Sequence, residues 1–495
     1  MHFYSLAILL RLGLSDNQVT PTQRCKPTVA FILDALMLAV ALSFLSWALY
    51  PWRTFPSHTR LYHDLLLIPP HAVRTIMPES APAPAVADPW FQSLFAERIG
   101  GANYGKGTAI YKFEKIKRAK RAALAAHPGR KLLDFGIGEN DEMADALVRQ
   151  SLQRETDRLE NRGYADNGIQ AFKDAAAGFM KRVFNVELNP ATEINHAIGS
   201  KPALAMLPAC FINPGDVTLM TVPGYPVAGT HTKYFGGEVH HLPLKEESGF
   251  FPDLAGIPHE IRKRAKLLVL NYPNSPTGAV ATRDFYRRVI DFARTNQVIV
   301  VQDAAHLLLT YEGAPLSFLQ VEGAKEVGVE VHSLSKGYNM IGWRMAFVAG
   351  HAKLVQAFAD VKDNCDSGQF MAIQQAAARA LEHDEIFYKT REKYRRRLQK
   401  LVAALNQVGF QARMPGGTYF LYVRAPTAGA GRTFVNAEDV SQFLIAEQSV
   451  CCVPWDDAGP FLRFSVTYLA QEEREEDQWM AETVDRLGRL GLKFS

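Results

Sequence analysis

Between residues 194 and 344 the chain alternates short apolar runs with stretches of helical periodicity, and this alternation constrains the fold more than any other feature. The runs at 267–270 and 298–301 are apolar throughout, the second of them β-branched, while 194–198 and 216–222 carry two and three polar residues among apolar ones. Such runs read as strands buried on both faces, the pattern of parallel strands joined by crossover helices. Helices are expected over 170–183 and 203–211. The predicted fold class is therefore α/β, a mostly parallel sheet with helices on both faces. After Gly350 the pattern turns helical, then strands at 417–423 and 461–465 alternate with helices, as in a smaller α+β domain. At 495 residues the chain exceeds what one core usually supports. The expected division is an N-terminal extension over 1–76, a linker and arm over 77–135, a large domain over 136–365 and a small domain over 366–495. There is no internal repeat.

In open α/β sheets ligands bind at the carboxyl ends of the strands, and the chemistry-bearing residues of this chain gather there. Asp303 ends the run 298–303. Asn271-Tyr272-Pro273-Asn274-Ser275-Pro276-Thr277-Gly278 is a turn-rich loop after another strand. Gly199-Ser200-Lys201 precedes a helix, so its backbone N–H groups suit a phosphate. Downstream lies Ser333-Leu334-Ser335-Lys336-Gly337-Tyr338-Asn339-Met340-Ile341-Gly342-Trp343-Arg344. A lysine there is able to form Schiff bases with carbonyl compounds, pyridoxal phosphate above all. The serines and Arg344 suit the phosphate dianion. Alone, the stretch fits a surface lysine in a Ser/Gly loop better; the three upstream segments favour the chemical reading. A carboxylate at Asp303 would keep a pyridine nitrogen protonated.

Taken together, these residues resemble the fold-type I pyridoxal 5'-phosphate (PLP) aminotransferases of class I/II. The resemblance runs from about Tyr104 to the C-terminus and rests on five motifs in order. Within that family, the stretch Asn103-Tyr104-Gly105-Lys106 through Tyr111-Lys112-Phe113 to Phe135-Gly136-Ile137-Gly138 is similar to the LL-diaminopimelate aminotransferase group. The resemblance implies that Lys336 is the catalytic lysine and that Asp303 faces the cofactor's ring nitrogen. Ser200, Lys201, Ser333, Ser335 and Arg344 would hold phosphate, and Tyr225 would stack on the ring. Tyr164 would reach across a homodimer interface to the partner's cofactor phosphate. Tyr111, Gly138, the Lys201 side chain and Arg463 would meet substrate, with Ser367 near the site where relatives carry an asparagine. By pattern alone Tyr111 is a core aromatic. Arg463, in mid-strand among apolar residues, needs a partner: a substrate α-carboxylate, or an acid in a structural ion pair.

Two positions depart from the family. Ser275, with Asn274 before it, stands where an asparagine usually reaches the ring oxygen, and His306 stands where a tyrosine serves the same oxygen. Both replacements still donate hydrogen bonds, though His306 also fits a core histidine. The implied activity is transamination of an amino acid with 2-oxoglutarate or glutamate, LL-2,6-diaminopimelate of lysine biosynthesis being the donor the group suggests. Alternatives are another aminotransferase, a PLP-dependent lyase, or a membrane-tethered ligand-sensing module without activity.

A net charge of +4 is small for this length and argues against nucleic acid as a partner. The basic helical stretches at 115–121 and 389–400 therefore read as solvated faces. Five cysteines without a C-x-x-C spacing form neither a zinc site nor a disulfide framework, and they suit a reducing, cytoplasmic compartment. Residues 28–50 are apolar enough to span a bilayer, interrupted only by Asp34. A membrane anchor, a translation start placed upstream of a true start at Met77, and a core helix all fit that segment. Residues 78–88, rich in proline and alanine, read as a linker.

Overall fold

The computed structural model describes residues 89–106 and 112–494. The expectations for the apolar segment 28–50, for the start at Met77, for the linker and for Tyr111 fall outside these residues. Among the described residues no helix is long and apolar enough to cross a membrane.

Fourteen strands are formed by the described residues, the first being β1 (Leu133–Asp134). The large sheet holds β2 (Ile194–Ala197), β3 (Val217–Val222), β4 (Glu238–Pro243), β5 (Ala265–Asn271), β6 (Ile299–Asp303), β7 (Gly328–Ser333) and β8 (Ala346–Gly350). Their order is β2-β8-β7-β6-β5-β3-β4, and only β8 runs antiparallel to its neighbours. Alternate residues of one strand serve opposite cores. Leu268 and Leu270 of β5 join a core with the helices Gln170–Phe184, Arg283–Asn296 and Met371–Leu381. Leu267 and Val269 point the other way, to the helices Ser200–Phe211 and Ala352–Asp363. This double burial is why the sequence shows unbroken apolar runs where a half-exposed strand would alternate.

A third core gathers around β9 (Phe420–Arg424), β12 (Val450–Cys451) and β14 (Phe461–Ser465), near β13 (Val453–Trp455) and the short hairpin β10 (Ala428–Gly429) and β11 (Arg432–Thr433). The strands β13, β14 and β9 pair antiparallel, and β1 pairs parallel with β12, so Leu133 and Phe135 belong to this C-terminal core. The helices Asp384–Gln407 and Glu473–Gly488 contribute Leu398, Leu401 and Leu487 to it.

The basic stretch 389–400 is a solvated face only in part: Lys389 and Arg395 meet solvent, but four other cations enter ion pairs with buried acids. Arg397 is 1% exposed and ion-paired with Asp141 and Glu476, Lys393 pairs with Asp141 and Glu142, and Arg396 and Lys400 both reach Glu476. Their acids lie so far along the chain that no helical periodicity reveals them. In the basic helix Lys112–Ala126, Lys115 and Lys120 likewise pair with Glu438 and Asp134.

Candidate active site

Parallel register sets the floor of the site. Asn271 of β5 lies opposite Asp303 of β6, and Asp303 opposite Val331 of β7, all at the carboxyl edge of the sheet. Asp303 is buried, and its Oδ1 accepts the Ala305 backbone N–H at 3.1 Å. Burial lifts its carboxyl to about 6, against the opposing pull of that hydrogen bond and of the Lys336 ammonium. A buried carboxylate so placed is complementary to a protonated ring nitrogen. Asn271 steadies the edge: its Nδ2 donates to Asp303 O at 3.2 Å and its Oδ1 accepts from Ser275 N at 2.8 Å.

Strand β7 ends at Ser333, whose Oγ accepts from Ser335 N at 3.2 Å and caps the single helical turn Leu334–Gly337. Lys336 therefore leaves the sheet edge on a fixed turn. Its Nζ donates to Gly138 O at 3.0 Å, and the Tyr419 hydroxyl donates to the same carbonyl at 2.7 Å. The amine also lies 5.2 Å over the Tyr419 ring. Asn140 holds the lysine's backbone, donating from Nδ2 to Lys336 O at 2.7 Å.

Arg344 turns back toward the same edge. Its φ of 57° is left-handed, and its Nη1 donates to Ile341 O at 2.7 Å and lies 3.5 Å from Ser335 Oγ. The guanidinium packs on Gly199, where φ is 86° and a β-carbon would lie 2.2 Å from Nη2. Only glycine fits that close approach in that conformation. Arg344, Ser335 and the start of the helix Ser200–Phe211 thus form one cradle for a dianion, combining a guanidinium, hydroxyls and a helix N-terminus.

At the other end stands Arg463 of β14. It is buried over the Phe420 ring, with Cζ 4.1 Å from the centroid, and its Nη2 donates to Gly136 O at 3.2 Å. Its Nε has no hydrogen-bond partner, and among the described residues no carboxylate forms an ion pair with it. Burial lowers its pKa to about 10, which keeps it charged at neutral pH. The structural ion pair that the sequence left open is not formed; a cation in this setting is ready for an incoming carboxylate.

The remaining expected residues are placed as follows. His306 is buried beside Tyr419 and Phe420, its Nδ1 has no partner, and burial holds its pKa well below the ordinary histidine value, so it is neutral. Asn274 departs from expectation: its Nδ2 lies 3.4 Å from Pro223 O while Oδ1 accepts from Thr277 N and Oγ1, at 3.2 and 2.8 Å. Its carboxamide clasps its own loop to the loop carrying Tyr225. Ser275, the next residue, is half-buried, and Tyr225 is exposed. Ser200 is half-buried, whereas Lys201, Tyr164 and Ser367 are exposed. Ser367 O accepts from Ala165 N at 3.3 Å, which ties its turn to the Tyr164 loop. Asn140, Tyr419 and Phe420 were not expected in the site. Their position beside the Gly136-Ile137-Gly138 and Gly417–Phe420 stretches was the only trace of them in the sequence.

An amine, a buried strand-end acid and a guanidinium-hydroxyl cradle at the carboxyl edge of the large sheet, with a buried guanidinium from β14, suit PLP and a carboxylate substrate on an open α/β scaffold. The cradle that a β-carbon would fill and the orphaned nitrogens of His306 and Arg463 fit that cofactor and its substrate. Residues 130–476 match the family model for aminotransferase class I and II, and the chain belongs to that family, whose members use PLP. It is 56% identical over 414 residues to the LL-diaminopimelate aminotransferase of Methanocaldococcus jannaschii, covering 82% of this chain and 99% of that protein. The corresponding protein of Methanococcus maripaludis is 54% identical over 412 residues, with 82% and 99% covered. Substrate-bound BacF from Bacillus subtilis superposes with a TM-score of 0.73 at 30% identity, covering 81% of this chain and 99% of that one. The fold is that of the fold-type I aminotransferases, and the protein is an aminotransferase.

Proposed function

We propose that the protein transfers the amino group of LL-2,6-diaminopimelate to 2-oxoglutarate, as a homodimer in the cytoplasm. The observation that carries the reading is that Arg463 and Lys336 both donate to carbonyls of the loop at 136–138. Gly136 O receives the guanidinium and Gly138 O the amine, so two carbonyls two residues apart set the spacing between carboxylate and reacting carbon. Arg463 binds the α-carboxylate and aligns the α-carbon toward Lys336 Nζ. Lys336 Nζ, once free, would take the α-proton and return it as general acid. Bound PLP supplies the electron sink for that proton transfer. Asp303 keeps the ring nitrogen protonated, and Arg344, Ser335, Ser333, Ser200 and the Lys201 backbone hold the phosphate. Neutral His306 and Ser275 supply donors toward the ring oxygen.

The choice of donor is supported by the high identity to enzymes named for that substrate along nearly their whole length. A dimer is supported by the exposure of large apolar and aromatic side chains: Leu159 and Tyr164, 72% and 82% exposed in and just after the turn Leu159–Arg162, and Phe370, which is also exposed. Cytoplasmic residence is supported by the free thiols of Cys210, Cys365, Cys451 and Cys452. The test is a screen of amino donors against 2-oxoglutarate, with glutamate measured. LL-2,6-diaminopimelate is expected to give the highest kcat/KM. Preference for another donor overturns the substrate, and amino acid consumed without glutamate overturns transamination.

A further inference from the structure

The segment 136–142 faces the site with one side and a buried ion cluster with the other. Toward the site, Gly136 O accepts from Arg463 Nη2, Ile137 O from Thr467 Oγ1 at 3.1 Å, Gly138 O from Lys336 Nζ and Tyr419, and Asn140 donates to Lys336 O. Away from it, the Asp141 carboxylate, 3% exposed, accepts from Lys393 Nζ at 2.7 Å, Tyr394 Oη at 3.0 Å and Arg397 Nη1 at 3.0 Å. Arg397 is itself buried and held on several sides. It also donates to Val466 O, Tyr468 O and Ala470 O, at 3.1, 2.9 and 2.9 Å, and to Glu476 at 2.8 Å. Asp141 thus fastens the loop to a cation that is anchored on the C-terminal core at four further points.

Burying such charges costs more than packing apolar groups of the same volume. What the cluster gives in return is a fixed position for a glycine-containing loop that has few side chains of its own to pack. Two of its carbonyls set the direction of the guanidinium and of the reacting amine, and an error of about 1 Å there costs on the order of 100-fold in rate.

We propose that Asp141 is a positioning residue of the aminotransferase reaction: held by Lys393, Tyr394 and Arg397, it fixes the Gly136 and Gly138 carbonyls that aim Arg463 and Lys336. The inference rests on the roles given above to Arg463 and Lys336. The experiment compares cofactor-loaded wild type, Asp141→Asn and Glu476→Gln in kinetics, Tm and affinity for maleate, a dicarboxylate probe of the Arg463 subsite. Asp141→Asn is expected to retain the cofactor's absorbance, to lower kcat and raise KM so that kcat/KM falls about 10- to 100-fold, and to weaken maleate in parallel with KM. Glu476→Gln, which removes the anion on the far side of Arg397, is expected to lower Tm with kcat/KM within about twofold of wild type. Should Asp141→Asn fail to fold, Tyr394→Phe and Lys393→Met remove its other partners singly and carry the same comparison. Asp141 variants with kcat and KM within about twofold of wild type overturn the proposal, as does Glu476→Gln lowering kcat/KM as far as Asp141→Asn. A wild type inactive on every amino donor instead overturns the underlying functional reading.

Discussion

Gly199 and Arg344 occupy each other's space: a β-carbon on the glycine would lie 2.2 Å from Nη2 of the guanidinium. Both hold left-handed backbone, at φ 86° and 57°. The contact brings a helix N-terminus and a forked cation to one point, the geometry a phosphate dianion needs. Gly199→Ala should displace the guanidinium and weaken PLP binding by roughly 1–3 kcal/mol, the worth of one charge-assisted hydrogen bond. Titration of the cofactor-free protein followed by absorbance measures it. An unchanged Kd would show that the phosphate sits elsewhere.

Lys336→Ala should leave the cofactor unable to bond covalently. The wild type is expected to be yellow when loaded, with a band that borohydride removes and a mass increase on the peptide containing Lys336. The variant should show neither and no measurable transamination. Colourless wild-type protein after incubation with PLP would contradict the assignment of the whole site.

Truncating Arg463 tests the carboxylate subsite. Because the group is buried without a described carboxylate, Arg463→Ala should raise KM for every amino donor and lower kcat/KM by about 2–5 kcal/mol. The stability change should be smaller than for a broken buried ion pair, since no anion is left behind. Wild-type kinetics across all donors would make Arg463 structural.

Asp303 predicts a pH signature in the cofactor-free protein. Burial raises its carboxyl to about 6, above the ordinary value of about 3.9. A group raised on folding contributes its full stability below the unfolded pKa and loses it as pH rises through the folded one. Asp303→Asn escapes that loss. Its Tm relative to wild type should therefore climb between about pH 4 and pH 8, by the equivalent of up to about 3 kcal/mol. With PLP bound the order should reverse at neutral pH, because the carboxylate then faces a cation. A Tm difference flat with pH would mean that Asp303 is hydrated and does not meet the ring.

The legible parts of this protein are those in which neighbours in sequence are neighbours in space. An apolar strand buried on both faces leaves an unbroken run, and the residue at its carboxyl end is at the ligand edge by construction, so Asp303 and Gly199-Ser200 could be placed from the chain alone. Lys336 and Arg344 lie on the one connection between β7 and β8, and their chemistry needs no distant information. Tertiary structure decided what depends on long-range pairing. Tyr419 meets Gly138 across 281 residues, Asn140 meets Lys336 across 196, and Arg397 meets Asp141 across 256. A basic helix carries no mark of where its acids lie, so the stretch 389–400 read as solvated although it holds the buried cluster behind the site. Ser275 matched the family's asparagine by position and Asn274 by chemistry; only the folded loop shows that the Asn274 carboxamide is engaged with Thr277 and Pro223. Local periodicity and strand ends fix the backbone frame, while the aim of a buried charge is set by whichever groups the closed fold brings within hydrogen-bond distance.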